Sequence, residues 1–115
     1  MPSKRSDWLL GNIEPLLLYL INEQPMYGYQ IIKELEKRSE GYFSFKEGTL
    51  YPVLHRLEKE GLIRGEWRVL ESGRHRKYYN ITNKGLEVLE ERRGQWPKFF
   101  AAVAMITRLP LTDTR

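Results

Sequence analysis

The segment from Gly48 to Thr82 constrains the fold of this chain more than any other part of its sequence. Its first part, residues 48–63, is typical of an amphipathic helix, with leucine and valine at helical spacing on one face and polar side chains on the other. Its second part contains the basic run Gly73-Arg74-His75-Arg76-Lys77 and is typical of a β-hairpin with a positively charged tip. A helix of roughly 20 Å can enter a major groove, and a basic ribbon beside it can contact the phosphate backbone. This layout predicts a winged helix-turn-helix that binds duplex DNA.

Apolar periodicity predicts two helices before this segment and one helix within it. The first covers residues from about 7 to 22, and the second opens at Met26 and continues to about residue 39. The third covers residues 46–60, and Ser44 with Glu47 predicts a capping box at its start. The leucine-rich face of this third helix must lie in the core, which leaves its polar face for a partner.

A hairpin and a last helix complete the predicted fold. Two strands, over residues 62–70 and 76–81, are joined by a short turn, and Thr82 or Asn83 caps a helix that runs to about residue 106. Pro97 lies inside this helix and is expected to kink it or split it. The fold class is therefore mainly α with a small β-hairpin. The predicted divisions are a winged helix-turn-helix domain in residues 1–82, a C-terminal dimerisation helix in residues 83–109 and a tail in residues 110–115.

Length and composition limit the classes of protein that the chain can represent. Its 115 residues suffice for one domain, and a hydrophobic content of 41% with 30% charged residues is typical of folded proteins. The net charge of +4 favours an anionic partner, and no cysteine is available for a disulfide or a thiolate metal site. The longest apolar run, residues 15–21, is too short to cross a bilayer, and the polar residues around it argue against a signal peptide. A cytoplasmic protein without membrane contact is therefore expected.

Polar and basic side chains on the third helix and the hairpin form the predicted DNA interface. Hydroxyl, imidazole and guanidinium groups can hydrogen-bond base edges or phosphates, and a proline can pack against a thymine methyl group. The hairpin tip can lie on phosphates or place an arginine in a narrow minor groove. An ordinary solvated helix and edge charges that prevent aggregation are the structural alternatives, but edge protection does not need a cluster of one sign. The predicted contacts are Thr49, Tyr51, Pro52, His55, Arg56 and Lys59 on the third helix, Tyr27, Tyr29 and Lys46 at the start of the second helix and in the turn, and Gly73, Arg74, His75, Arg76 and Lys77 on the hairpin.

The sequence offers no basis for catalysis, for a metal site or for a cofactor. Its two histidines, His55 and His75, lie on different elements, and it has neither a nucleophile elbow nor a glycine-rich phosphate loop. A winged helix that binds another protein, without specific DNA readout, is the main alternative, since this fold also serves as an interaction module. RNA binding ranks below both, because a two-stranded hairpin provides little aromatic sheet surface.

Short motifs on the second helix, the third helix, the hairpin and the start of the last helix belong together. They are Tyr27-Gly28-Tyr29 with Ile31-Ile32, Gly48-Thr49-Leu50-Tyr51-Pro52, His55-Arg56-Leu57-Glu58-Lys59-Glu60-Gly61, Gly73-Arg74-His75-Arg76-Lys77-Tyr78-Tyr79 and Thr82-Asn83-Lys84-Gly85. Over residues 13–90 this set resembles the PadR family of bacterial transcriptional regulators. The resemblance implies a homodimeric winged-helix repressor, often released from its operator by a small molecule. It also implies that the third helix reads the major groove, that the hairpin is a wing on the flanking backbone, and that the single C-terminal helix is that of the small-size branch.

The last helix carries more apolar surface than a single exterior helix requires. Its apolar residues form two stripes, which favours packing against the same helix of a second copy, with folding back onto its own domain as the alternative. A twofold dimer would place two third helices about one DNA turn apart, roughly 34 Å, and match a pseudo-palindromic operator. The predicted interface residues are Leu86, Leu89, Trp96, Phe100 and Val103.

Trp96 is the predicted effector-binding residue. It follows the turn from Thr82 to Gly85 at the same distance as a tryptophan of multidrug-sensing PadR-like proteins, where the two tryptophans of the dimer stack on flat hydrophobic compounds. The resemblance therefore implies a small hydrophobic or aromatic effector at Trp96, with Trp8 placed nearby if the first helix crosses the dimer. An aromatic anchor in a dry dimer core is the alternative. Trp67, on the first hairpin strand, is expected to pack rather than to bind.

Overall fold

The structure is a computed structural model that describes residues 12–110 of the 115-residue chain. Trp8, the start of the predicted first helix and most of the predicted tail lie outside the described residues. The elements in chain order are α1 (Glu14–Glu23), β1 (Met26–Tyr27), α2 (Gly28–Arg38), α3 (Glu47–Lys59), β2 (Ile63–Val69), β3 (His75–Ile81) and α4 (Asn83–Thr107). The predicted class, mainly α with a small β-hairpin in a winged helix-turn-helix, is confirmed.

One hydrophobic core lies between α1, α2, α3 and the sheet. The predicted inner face of α3 is confirmed, because its leucines and valine are buried while the opposite face stays exposed. Each such side chain contributes about 1.5–3 kcal/mol when it leaves water completely. The fully buried residues at the centre are Ile13, Leu17, Leu18, Met26, Ile31, Leu50, Leu54, Leu57, Ile63 and Leu89.

The sheet has three strands instead of the two that the sequence predicts. Met26 and Tyr27, assigned to the second helix, instead form β1 and pair antiparallel with Tyr79 and Tyr78 of β3. The strand order is β1-β3-β2. An extended segment lets Met26 point into the core and Tyr27 point outward, which a helical turn at this point would not do. Helix α2 therefore begins at Gly28.

Helix α3 begins without the predicted capping box. Its N-cap is Lys46, which makes no side-chain cap, and Ser44 Oγ instead donates a hydrogen bond to Glu36 Oε2 at 3.2 Å. The helix ends in a Schellman motif, in which the Leu62 N–H donates to the Leu57 carbonyl at 2.9 Å. Gly61 has a φ of +80°, a conformation that favours glycine and stops the helix before β2.

An arginine with two carboxylate partners holds α2 against α1. Arg38 donates hydrogen bonds to Glu34 at 2.8 Å and to Glu23 at 2.7 Å. The hydrogen bond from Arg38 lowers the pKa of the Glu23 carboxyl, so this carboxylate is charged at neutral pH. All three side chains are partly exposed, so the cluster contributes more to helix orientation than to stability.

Helix α4 follows β3; its start packs against the turn between α3 and β2, and its later part extends away from the core. Thr82 caps it by accepting a hydrogen bond from the Gly85 N–H at 3.0 Å, and Thr82 Oγ1 donates to the Gly61 carbonyl at 2.6 Å. The helix continues through Pro97 to Thr107, so the predicted split is wrong; proline removes one helical hydrogen bond, and here the helix tolerates that loss. Within residues 12–110, none of the helices combines the length and the apolar character needed to cross a membrane.

Candidate nucleic-acid interface

The outward face of α3 presents a short polar row to solvent. Because the leucine face anchors the helix, Thr49, Pro52, His55 and Lys59 are all exposed on the other side. The row contains a hydroxyl, an imidazole and an ammonium group, together with an apolar proline ring. These groups can hydrogen-bond base edges and pack against a thymine methyl group.

Arg56 lies on the flank of α3 that faces α1. Its guanidinium forms an ion pair with the Glu14 carboxylate at the start of α1. The predicted DNA contact at Arg56 therefore competes with an intramolecular partner, which directs the guanidinium away from the middle of the exposed row.

Tyr51 occupies the opposite flank of α3 and packs against the start of α2. A Cβ atom on Gly28 would overlap the Tyr51 ring, so the glycine of the Tyr27-Gly28-Tyr29 motif makes room for that ring. Burial is the first cause that raises the pKa of the Tyr51 hydroxyl, and Glu47 raises it further. Tyr51 thus joins α3 to α2, and its ring is half-buried rather than freely available.

The hairpin tip exposes the basic residues that the sequence places there. The Gly73 N–H donates to the Leu70 carbonyl, and the Leu70 N–H donates to the Arg74 carbonyl, both at 2.8 Å. Gly73 has a φ of +87°, which the tight turn requires and which favours glycine. Arg74 and His75 are exposed at this turn.

The outer face of the sheet is a ladder of tyrosine rings and guanidinium groups. The Arg76 guanidinium lies 3.9 Å from the centroid of the Tyr27 ring, and the Arg68 guanidinium lies 4.1 Å from that of Tyr78. The two tyrosine rings meet edge to face at 5.4 Å. Stacking of this kind orients arginine while its charge stays at the surface. Arg68 was not among the predicted contacts, because its ring partner lies on the neighbouring strand.

The remaining predicted contacts before α3 are both at the surface. Tyr29, in the first turn of α2, is half-exposed, and the Lys33 ammonium lies 5.4 Å from its ring centroid. Lys46 is exposed at the N-cap of α3. Both can contact a duplex that lies along the start of α3.

Trp67 does not pack in the way the sequence analysis expects. Its side chain is 65% exposed, on the face of β2 that also carries Gly65 and Val69. Together with Tyr29, Tyr51, His55 and His75, it lines an open groove between α3, the start of α2 and the wing. The lining is largely aromatic; Arg76 and Lys77 bring two positive charges to it, and the Glu47 carboxylate brings one negative charge. A tryptophan on a hairpin with a basic tip is the sequence signal that could have identified this residue.

Lys77 points to α3 instead of to solvent. Its ammonium donates to Glu58 Oε1 at 2.8 Å, and Glu58 Oε2 accepts a hydrogen bond from the Gly65 N–H at 3.2 Å. The hydrogen bond with Lys77 is the main cause that lowers the pKa of Glu58, and the same bond raises the pKa of Lys77. Both groups are therefore charged at neutral pH, and one carboxylate joins α3 to both wing strands.

The predicted dimer residues on α4 fall into three groups by exposure. Phe100 is 52% exposed and Leu86 is exposed, whereas Trp96 and Val103 are half-buried. Leu89 is 0% exposed and belongs to the core of its own chain, so it is removed from the surface that a second copy can contact. Four further apolar residues toward the C-terminal end, outside the predicted interface set, are exposed: Phe99, Met105, Ile106 and Leu109.

Metal chemistry has no visible basis in the described part of the chain. Residues 12–110 contain no cluster of three or more histidine, aspartate and glutamate side chains that could hold a metal ion.

The chain is similar to known transcriptional regulators in both sequence and structure. Residues 17–91 match the model of the transcriptional regulator PadR-like family. Transcriptional regulator Rv3488 of Mycobacterium tuberculosis is 36% identical over 77 residues, which cover 67% of this chain and 68% of that protein. A PadR-like transcriptional regulator from Bacillus cereus has a TM-score of 0.78 at 38% identity, covering 90% of this chain and 99% of that one. A PadR family regulator from Eggerthella lenta has a TM-score of 0.75 at 34% identity, covering 87% and 85% of the two chains.

The family match covers more than half of the chain and includes α2, α3, both wing strands and the first part of α4. Its solved relatives share the winged-helix architecture described above, and they are regulators rather than enzymes. The chain therefore belongs to the PadR-like family of DNA-binding transcriptional regulators.

Proposed function

We propose that this protein reads a specific DNA sequence by placing the exposed row of α3 in a major groove and the wing on the adjacent backbone. The observation that carries the proposal is that His55 of α3 and His75 of the wing line the same open groove. One duplex can therefore contact α3 for base readout and the cationic tip for phosphate binding. Thr49, Pro52 and His55 supply the base contacts, and Arg74 and His75 supply the main contacts to the backbone.

A second part of the proposal is that the active form is a homodimer joined through α4. Phe99, Phe100 and Ile106 are exposed apolar residues on the half of α4 that extends beyond the core. Apolar patches of this kind mark protein interfaces, and twofold symmetry is the commonest arrangement of copies. The two α3 helices of the dimer would then match a pseudo-palindromic operator. The protein would act in the cytoplasm, where the chromosome is.

The resemblance to repressors of the family supports repression as the regulatory effect. A protein that occupies a major groove and the adjacent backbone across a promoter excludes the polymerase from the same DNA. Expression of a reporter gene should fall when this protein is supplied, if the gene is placed behind a duplex that the protein selects from a random library. A rise in reporter expression would instead assign activation.

Arg74→Ala should weaken duplex binding and reduce its dependence on salt. Arg74 is exposed at the wing tip, where its charge can neutralise a phosphate and release a counterion. The slope of log K against log salt should become shallower by about 0.9, the contribution of one phosphate contact. Titrations of a labelled duplex from low to moderate salt measure this slope.

Arg92→Ala is the matched control for the wing variant. It removes the same charge from an exposed position on α4, outside the proposed interface. Its salt slope should equal that of the wild type. Equal slopes for the wild type and Arg74→Ala would rule out a phosphate contact at the wing tip.

A flat aromatic effector is proposed to bind between the two copies of Trp96. Trp96 is half-buried on a helix whose neighbouring Phe99 and Phe100 rings are exposed, so a dimer would enclose an aromatic surface there. Binding of acridine, followed by the anisotropy of its fluorescence, should weaken about tenfold in Trp96→Ala. Trp67→Ala removes the exposed tryptophan of the wing and should leave acridine affinity unchanged. Undiminished binding to Trp96→Ala would leave Trp96 as a dry anchor of the dimer core.

A further inference from the structure

Glu58 connects α3 to both strands of the wing through its two carboxylate oxygens. Oε1 accepts the hydrogen bond from the Lys77 ammonium on β3 at 2.8 Å, and Oε2 accepts from the Gly65 N–H on β2 at 3.2 Å. The side chains of Glu58 and Lys77 are 32% and 25% exposed, so the contact lies at the edge of the core. We call this contact of Glu58, Gly65 and Lys77 the wing latch.

Glycine at position 65 makes room for the wing latch. A Cβ atom there would overlap the end of the Lys77 side chain and lie 2.9 Å from Glu58 Oε2. Glycine weakens the interior of a strand and is found where another group approaches the backbone closely. The approach of two side chains at this point accounts for its presence in β2.

The outer part of the wing has little other support from the core. Beyond Ile63 no residue of β2 is buried, and on β3 the buried residue is Tyr79, close to the sheet centre. Trp67 and Val69, further out on β2, are each about two-thirds exposed. The latch lies between this exposed outer part and the core, where it can set the angle between the wing and α3.

We propose that Glu58 and Lys77 are positioning residues that hold the wing at the angle at which α3 and the wing tip contact the same duplex. This inference rests on the proposed function. It gives Lys77 a different role from the phosphate contact that its place in the basic run suggests. Because the pair is partly exposed, its loss should change stability little and should act mainly on DNA binding.

Glu58→Gln distinguishes the latch from a simple charge effect, because the two predict opposite changes in DNA affinity. Removing a negative charge close to DNA, and releasing Lys77, should strengthen binding if charge alone matters. Loss of the latch should instead weaken binding by about twofold to fivefold. The matched control is Glu60→Gln, which removes the same charge two residues along the chain, and which should bind as the wild type does or slightly better.

Lys77→Met distinguishes a latch from a phosphate contact by its salt dependence. A latch residue lowers affinity while the slope of log K against log salt stays at its wild-type value, whereas a lost phosphate contact makes the slope shallower by about 0.9. The double variant Glu58→Gln/Lys77→Met should bind no more weakly than Lys77→Met, because both changes break one interaction. A shallower slope in Lys77→Met, or tighter binding by Glu58→Gln, would overturn the proposal.

Gly65→Ala tests the latch without altering any charge. The added methyl group displaces Lys77 from Glu58, so affinity should fall at a constant salt slope. Hydrogen exchange of the Gly65 amide, measured without DNA, should be faster in Glu58→Gln than in the wild type. An unchanged exchange rate of the Gly65 amide would overturn the latch, even if the protein binds duplex DNA in a separate experiment. Faster exchange in a protein that binds no duplex would instead support the latch and refute the proposed function.

Discussion

Phe100→Lys is expected to dissociate the proposed homodimer and to lower affinity for a two-half-site operator by about 10²- to 10⁴-fold. The ring is 52% exposed on the part of α4 that extends from the core. In a dimer it would be buried against the second copy, where an ammonium group without a partner is strongly unfavourable. Loss of the dimer converts the second half-site contact from an intramolecular step into an independent one. Sedimentation velocity and titration of the operator measure the two effects.

Gln95→Lys is the matched control for the dimer prediction. It adds the same charge to an exposed position on the same helix without removing an apolar ring. It should remain dimeric, and it should bind the operator as tightly as the wild type. A single half-site should bind Phe100→Lys no less tightly than the wild type, because the added charge favours DNA. A Phe100→Lys protein that stays dimeric would contradict an interface at this position.

Gly85→Ala is expected to destabilise the fold by about 1–3 kcal/mol, as overpacking does. A Cβ atom at residue 85 would overlap the Leu62 carbonyl oxygen and lie 2.9 Å from Cγ1 of Ile81. The Leu62 carbonyl accepts a hydrogen bond from the Thr82 N–H at 3.1 Å, so it cannot easily move away. The whole start of α4 would have to shift. Chemical denaturation followed by circular dichroism measures the free energy of unfolding.

Gly94→Ala makes the same change on the same helix, and it should raise the free energy of unfolding instead of lowering it. Within residues 12–110, apart from its chain neighbours and the adjacent backbone of α4, no atom lies within 4 Å of a Cβ at residue 94, so the substitution meets open space. Alanine is favoured over glycine in a helix interior by about 0.5–1 kcal/mol. Stabilisation by Gly94→Ala together with destabilisation by Gly85→Ala would show that the contact with Leu62 decides the result. Equal stability of Gly85→Ala and the wild type would contradict the close seating of α4.

Local signals in the sequence predicted the parts of the fold that depend on local interactions. The helical spacing of Leu50, Val53, Leu54 and Leu57 predicted the buried face of α3, because periodicity reports directly which face leaves water. Thr82 or Asn83 was the predicted cap of α4, and Thr82 is the residue whose hydroxyl accepts a hydrogen bond from an amide three residues later. The winged-helix class followed from these elements and their order.

The parts that the sequence analysis missed depend on partners far along the chain. Met26 and Tyr27 form a strand because Tyr78 and Tyr79, about fifty residues later, supply its pairing edge. A local pattern contains no record of such a partner, and apolar residues beside a helix are naturally assigned to that helix. The three-stranded sheet was therefore interpreted as a two-stranded hairpin.

The residue types of the candidate site can be read from the sequence, whereas the surroundings of each side chain cannot. The basic run from Gly73 to Lys77 was recognised as a unit, but its members have different surroundings. Arg74 and His75 are exposed, Arg76 stacks on Tyr27, and Lys77 bonds Glu58. Alternation along a strand sends neighbouring side chains to opposite faces, and which face meets α3 depends on how the hairpin packs.

The salt dependence of duplex binding tests the central claim most directly. A duplex selected by this protein from a random library should bind more tightly than an unrelated duplex of equal length. Its affinity should fall steeply from low to moderate salt, because several phosphate contacts release counterions. The account predicts this preference for the selected duplex. It also predicts that Arg74→Ala makes the slope of log K against log salt shallower by about 0.9, the contribution of one phosphate contact. Absence of duplex binding even at low salt would contradict it and would favour a winged helix that binds another protein.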